Sequence, residues 1–336
     1  MGCLKVDFMK ISIIIPVYNV EAFITECLES VVRQTYRGEM ECLIVDDCGT
    51  DGSIAVAERF ILSYQGSIVF KIIHHDHNRG LSAARNTGVE AATGDCVFFL
   101  DSDDAILPET IELMMSVMCE HPQVEMVQGG IMSMKGEPTD DFTKQRLPEY
   151  TDNVKWIMEN MLSKLPVSSW NRLLKRDFLI RECISFQEGI IHEDVPYNFL
   201  LALKCKYVGF VRQNTYLYRP QREGSILNSS TEKRSLQSRL TIMNESIEAH
   251  LSHRFETDEL KDIALKALWG KWMFYMTLHS YETLLLYVSD VSKISKLMTS
   301  ITPYPQKFGA ILYHSIPLRF RGSRKAIKVF SHLIIN

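Results

Sequence analysis

The chain has 336 residues, 46% of them hydrophobic and 23% charged, with a formal net charge of −4. These totals fit one or two globular domains and exclude a low-complexity or highly charged disordered chain. No run reaches the ~18 consecutive apolar residues of a membrane-spanning helix, and nucleic acid is not an expected partner.

Residues 11–17 (ISIIIPV) form a β-branched run, which predicts a strand buried on both faces. From Phe23 the apolar positions fall at 23, 24, 27, 28, 31 and 32, which is helical spacing. "CLIVDD" (42–47) predicts a second strand, with a helix opening near Ser53. "SIVFKII" (67–73), a helix over 80–93 and "CVFFLD" (96–101) continue the alternation. A helix after Pro108 and a strand at "VEMVQGG" (124–130) close it. Strand and helix alternating at this pitch predict an α/β fold with a mostly parallel sheet and flanking helices.

Residues 131–153 lose their period and read as a loop; 154–218 mix helices with short strands. From Ser235 the pattern is helical, and Trp269, Trp272, Phe274 and Tyr275 read as its core. Eight cysteines form no CxxC pair, which predicts reduced, buried thiols as in a cytosolic protein. Residues 1–10 carry no apolar segment of the signal-peptide kind. After Asp290 there are eight basic residues and no acidic one, leaving 29 basic against 41 acidic, or −12, in the preceding part.

Three strand ends carry polar chemistry: "PVYN" (16–19), "DDCGTDGS" (46–53) and "DSDD" (101–104). In a parallel sheet they share one edge, where ligands bind. Neither GxGxxG nor a P-loop follows the first strand, so the usual dinucleotide arrangement is not expected. Asp101, Asp103 and Asp104 disfavour one another's ionised forms unless a cation sits among them. That crowding predicts a Mg²⁺ or Mn²⁺ site completed by diphosphate oxygens and water; a polar loop capping a helix is the plainer alternative. Asp46 and Asp47 can accept from base or ribose groups, while Asp51 or Ser53 can cap the next helix. "NRGLSAARNTG" (78–88) brings Arg79 and Arg85 to the same edge. "HHDH" (74–77) has metal-ligand residue types but reads as loop surface.

"SIIIPVYN", "LIVDDCGTDGS", "NRGLSAARNTGVEAATGD" and "FLDSDD" resemble, in order and spacing, the motifs of family 2 glycosyltransferases over residues 10–130. "WNRLLKRDFL" (170–179), "FQEGIIHEDVPYNFLLAL" (186–203) and "YLYRPQREGSI" (216–226) resemble acceptor-side segments of its bacterial branch. The resemblance implies a glycosyltransferase A fold with a catalytic domain over 10–230. Its halves are a nucleotide-sugar half (10–130) and an acceptor-side half (131–230), followed by a helical region with a basic tail (231–336). It also implies an inverting transfer of a hexosyl or N-acetylhexosaminyl group from a nucleotide-diphosphate donor, with a UDP-sugar expected. The acceptor would be a hydroxyl of a glycan or lipid-linked molecule, in cell-surface polysaccharide assembly.

Carried over residue by residue, Pro16, Tyr18 and Asn19 border the nucleotide and Asp47 faces the uracil, beside Asp46. Asn78 and Arg85 lie by the base and phosphates, and Arg219 and Ser225 near the phosphates. Asp101, Ser102 and Asp103 make the DxD motif, with Asp103 first and Asp101 second as metal ligands. Glu193 and Asp194 match the family's Glu-Asp pair, with Asp194 as the base. His192 would orient it or lie exposed. Cys48 and Gly49 depart from the family's Gly-Ser, which alters the turn. A helix N-cap is the plainer reading of Asp194, and a helix start would lower its proton affinity. The rival functions are a nucleotide-sugar binding module without turnover and a nucleotidyltransferase. Segment 316–335, with five basic residues and none acidic, would either lie on an anionic membrane at the inner face of the cell or pack on the protein's acidic body.

Overall fold

The computed structural model describes residues 9–140, 142, 146–220 and 231–278, with single positions between 287 and 297. The chain opens with β1 (Ile11–Val17), α1 (Ile24–Val32), β2 (Met40–Asp46) and α2 (Ser53–Ser63). It continues through β3 (Val69–His74), α3 (Leu81–Ala91), β4 (Cys96–Phe99), β5 (Ala105–Ile106) and α4 (Thr110–Glu120). Next come β6 (Met126–Ser133), β7 (Pro138–Asp140), β8 (Tyr150–Thr151) and α5 (Val154–Ser163). β9 (Arg172–Lys175), α6 (Arg176–Arg181), α7 (Asp194–Lys204) and β10 (Val208–Tyr218) complete the sheet region. Helices α8 (Glu232–Ser252) and α9 (Asp258–Leu278) follow.

The sheet runs β3-β2-β1-β4-β9-β6-β10-β5, with β7 on β6 and β8 on β10. β1 to β4 are mutually parallel. β9 lies antiparallel between β4 and β6, so the sheet is mixed and mostly parallel. The expected strands recur within a few residues, with two differences. β3 is an edge strand with alternating exposure, unlike the fully buried β1. The stretch read as a loop holds the end of β6 together with β7 and β8, strands too short to leave a period.

Each sheet face carries a core. Ile11, Ile13 and Ile15 pack with Leu28 of α1 and Met114 of α4. Ile14, Val97 and Phe99 pack with Phe178 of α6 and Leu201 of α7. Phe199 and Leu203 of α7 enter a third cluster with Leu236, Ile247, Leu268 and Trp272 of α8 and α9. One helix thus joins the sheet to the C-terminal helices, and each such buried side chain stabilises the junction by roughly 1.5–3 kcal/mol. Trp269, Trp272 and Tyr275 are buried as read, but Phe274 is 57% exposed and leaves that core. Gly88 lets α3 lie directly on β1: a Cβ there would stand 2.2 Å from Ile14 Cγ2. No helix among the described residues is long and apolar enough to cross a membrane, and all seven described cysteines are free. Cys119 and Cys183 are exposed rather than buried.

Candidate active site

Register places the ends of β1, β2 and β4 along one edge, with Val17 opposite Asp46 and Asp46 opposite His74. Asn19, in the left-handed region at φ 51°, accepts from Thr50 N–H at 2.7 Å and so ties "PVYN" to the 46–53 loop. Asp51 accepts from Glu21 N–H and Ser53 N–H, and Ser53 Oγ accepts from Val20 N–H. Gly52 takes the N-cap position of α2, so Ser53 does not cap it, whereas Asp51 bonds the first amide of α2 and braces the loop as well. Cys48 holds φ 57° and its N–H donates to Asp46 Oδ1.

Asp47 is only 3% exposed. Its Oδ1 accepts from Arg79 N–H and meets His75 Nδ1, and its Oδ2 accepts from Gly80 N–H, each at 2.8 Å. The carboxylate expected to face the uracil thus also braces the two amides that lead into α3, where an anion is favoured. His75 is buried as well, with Nε2 3.0 Å from Thr87 Oγ1, so the reading of "HHDH" as loop surface fails at that one position. Pro16 is also buried within β1, whereas Tyr18 is half exposed and Asn78 exposed.

The three acids after β4 divide their roles. Asp104 is buried, with Oδ2 accepting from Tyr216 O–H at 2.8 Å and Oδ1 from Arg219 N–H at 2.7 Å. Burial, and then the charges of Asp103 and Asp101, push its carboxyl well above the usual range. Tyr216 Oη also accepts from Asp101 N–H, and its ring stacks on Trp170 at 4.3 Å. Arg219 donates from Nε to Asp103 O at 2.9 Å, pairs with Glu26 and lies 4.9 Å over Phe23. Arg219, expected near the donor phosphates, braces this turn. Ser102 is buried, whereas Asp101 and Asp103 are partly exposed. Their carboxylate oxygens are the hard donors that Mg²⁺ or Mn²⁺ prefers. Two acids fall short of six ligands, which leaves positions for diphosphate oxygens and water.

Arg85 links this turn to the acceptor side. It is 1% exposed, and donates from Nη2 to Asp101 Oδ1 at 2.7 Å and from Nη1 to Glu193 Oε1 at 2.6 Å. Both bonds are charge-assisted and short. Arg85 was expected beside the base and phosphates; its guanidinium is committed to these two carboxylates. Asn86, next along α3, exchanges two bonds of 2.9 Å with the backbone of Phe186, fixing the segment that leads to Glu193.

Asp194 is the first residue of α7, and Glu193 occupies the cap position without a side-chain cap bond. The N-cap reading of Asp194 is therefore overturned, and so is its lowered proton affinity. Burial first and the charge of Glu193 second push Asp194 up to about 6, against the opposing pull of Arg85, Lys271 and Arg172. Desolvation outweighs the helix terminus here. His192, at φ 64°, touches Arg239 rather than either acid, with Nε2 3.3 Å from Nη2. Burial and then Arg239 push His192 down, so the neutral ring accepts. Ser225 and segment 316–335 lie outside the described residues.

Sequence reasoning missed His75, Tyr216 and the buried cations. Arg172 lies fully buried in β9 and donates to Asn198 Oδ1 of α7 at 2.8 Å and to Pro166 O. Its signal was an Arg heading an apolar strand and an Asn on the apolar face of α7. Arg239 and Lys271 gave none, because each looks like one more charge on a long helix.

The architecture is the glycosyltransferase A type. It matches Staphylococcus aureus TarS residues 1–349 in complex with UDP-GlcNAc at TM-score 0.73 and 20% identity, over 97% of this chain and 91% of that one. It also matches the mannosyltransferase PcManGT from Pyrobaculum calidifontis, in complex with GDP-Man and Mn²⁺, at TM-score 0.55 and 17% identity, over 91% and 84%. In sequence the chain is 33% identical over 236 residues to the glycosyltransferase GlyA of Streptococcus pneumoniae, covering 67% of this chain and 32% of that protein. It is 29% identical over 226 residues to TarS, the poly(ribitol-phosphate) beta-N-acetylglucosaminyltransferase of S. aureus, covering 66% and 37%. The matched part thus spans about a third of the length of these two relatives. The family model for glycosyl transferase family 2 matches residues 12–179, and the chain belongs to that family.

Proposed function

We propose that the protein transfers a sugar from a UDP-sugar to an acceptor hydroxyl by a single inverting displacement. The observation that carries this reading is Arg85, which holds Asp101 of the DxD turn and Glu193 beside Asp194 on one guanidinium. The donor's diphosphate side and the base are thereby fixed relative to each other. Asp194 takes the proton of the attacking hydroxyl. Its affinity near pH 6 leaves it ionised at neutral pH yet basic enough to act, and such a base typically supplies ~10²–10⁴-fold in rate. Glu193, bonded to Arg85, orients this segment. Asp103 and Asp101 would hold a divalent cation, whose chemistry is to neutralise charge on the departing diphosphate. Tyr18, Asn19, Asp46 and Asn78 border the nucleotide, with Pro16 and Asp47 supporting the cleft from within. Arg219 acts on the phosphates through the turn it braces, and Ser225 is assigned to the donor phosphates by its motif.

The choice of UDP and of a hexosyl or N-acetylhexosaminyl group is supported by TarS, solved with UDP-GlcNAc, and by its family membership. A glycan or lipid-linked acceptor of the cell envelope fits the same relatives, with the enzyme in the cytoplasm at the inner membrane face. Residues 10–230 form the catalytic part and 231–336 a separate C-terminal region. A panel of nucleotide sugars scored by thermal shift with Mn²⁺, followed by detection of free UDP on turnover, tests this. A shift with no nucleotide sugar, or release of pyrophosphate in place of UDP, defeats it.

A further inference from the structure

The C-terminal helices bring buried cations near Asp194 with donors that find no hydrogen-bond partner among the described residues. Lys271 on α9 has its Nζ sealed from solvent, and among the described residues no group hydrogen-bonds it. Arg239 on α8 spends one nitrogen on the neutral His192, while its Nε and Nη1 are likewise sealed and unpartnered. Its guanidinium lies 5.1 Å from the ring of Tyr275 on α9. Arg172 leaves Nε and Nη1 unpartnered too. Arg239 meets His192, two residues from Asp194, and lies over Tyr275, which stands one turn along α9 from Lys271, so both cations flank the strip that carries Asp194.

Arg85 is already neutralised by Asp101 and Glu193. Arg239 and Lys271 of the C-terminal helices, with Arg172 of β9, therefore outnumber the one carboxylate of Asp194. Buried charges are paired or carry a large penalty, and buried polar groups without partners call for a ligand or an ion. The strip of His192, Glu193, Asp194 and Val195 in front of these cations is partly exposed, which gives an anion a way in. Ser238 Oγ of α8 accepts from Ile191 N–H at 3.1 Å, so the helix that carries Arg239 also fixes this strip.

We propose that Arg239 and Lys271 form an anion subsite beside Asp194 that takes a phosphate group carried by the acceptor. A guanidinium fork with an ammonium suits tetrahedral phosphate oxygens. The subsite names the acceptor's chemistry and so rests on the transferase reading above. It also gives the helices after residue 231 a part in choosing which hydroxyl reaches the base. The unpaired Lys271 is a local loss of stability retained for binding, in the way that functional sites retain strain.

The test titrates inorganic phosphate, and separately acetate, into the full-length protein by calorimetry, with and without saturating UDP and Mg²⁺. Wild type is compared with Lys271→Met and Arg239→Gln. Phosphate should bind the UDP-saturated wild type, and each substitution should weaken it by about tenfold or more, as expected for losing a charge-assisted donor. UDP affinity should not change in either variant. Lys271→Met should also melt higher than wild type, because it removes an unpaired buried charge, so a binding loss there cannot be put down to misfolding. Equal phosphate binding in all three proteins means an adventitious ion only and overturns the subsite. Absence of phosphate binding, or acetate binding the tighter of the two, overturns it as well. Failure of UDP to bind any of the proteins strikes the donor reading instead, and the UDP-free titrations still decide the subsite.

Discussion

Replacing Asp194 by Asn should make the protein more stable and nearly inactive at the same time. An ordinary aspartate titrates near 3.8, and this one is pushed up to about 6. A carboxyl raised on folding contributes most stability below its unfolded pKa, and that contribution is lost as pH rises through the folded value. Two units correspond to about 3 kcal/mol at pH 7.5 as an upper limit, and solvent at this partly exposed position reduces it to on the order of 1–2 kcal/mol. Asn keeps the shape and never ionises, so the variant should gain that amount in urea unfolding at pH 7.5 and almost nothing at pH 4. Turnover should fall by roughly two to four orders of magnitude with donor binding unchanged. The wild-type kcat/KM should fall below about pH 6 as Asp194 takes up its proton. A destabilised Asn variant at pH 7.5, or a wild-type profile flat from pH 5 to 7.5, would refute the reasoning.

Asp103→Ala should weaken Mn²⁺-dependent UDP binding, and calorimetry showing equal affinity with and without chelator contradicts the metal assignment. Glu193→Gln should lower turnover less than Asp194→Asn in the same kinetic assay, and the reverse ranking moves the base to Glu193. Asp47→Ala strands His75 and the amides of Arg79 and Gly80; chemical denaturation should show a loss of about 2–4 kcal/mol. The full-length chain should sediment with anionic vesicles at low salt, while a chain ending near Pro303 should not; equal pelleting removes the tail as an anchor.

The parallel half of the sheet was legible because β1, β2 and β4 are apolar runs between helices of clear period. β7 and β8 were not, being two or three residues long and specified by their neighbours on β6 and β10. At the site, residue types were legible and orientations were not. The text "DD" at 46–47 does not say that the second acid turns inward to α3, nor does "DSDD" say that the last of its acids is held by Tyr216, more than a hundred residues away. Arg85 could be placed on the correct edge, but its partner Glu193 lies 108 residues on, and no local pattern encodes such a pairing.

The sharing of α7 between two cores bears on chimeras. Leu201 faces the sheet side, while Phe199 and Leu203 face α8 and α9. A cut near residue 231, where the sequence pattern changes, would therefore strip apolar cover from the helix that begins at Asp194. Exchanging the helical region between relatives by joining them at that point should yield poorly soluble proteins. Exchanging it together with the outward face of α7 carries the whole contact surface across. The unit of recombination is thus a seam running along one helix, offset from the boundary that composition marks.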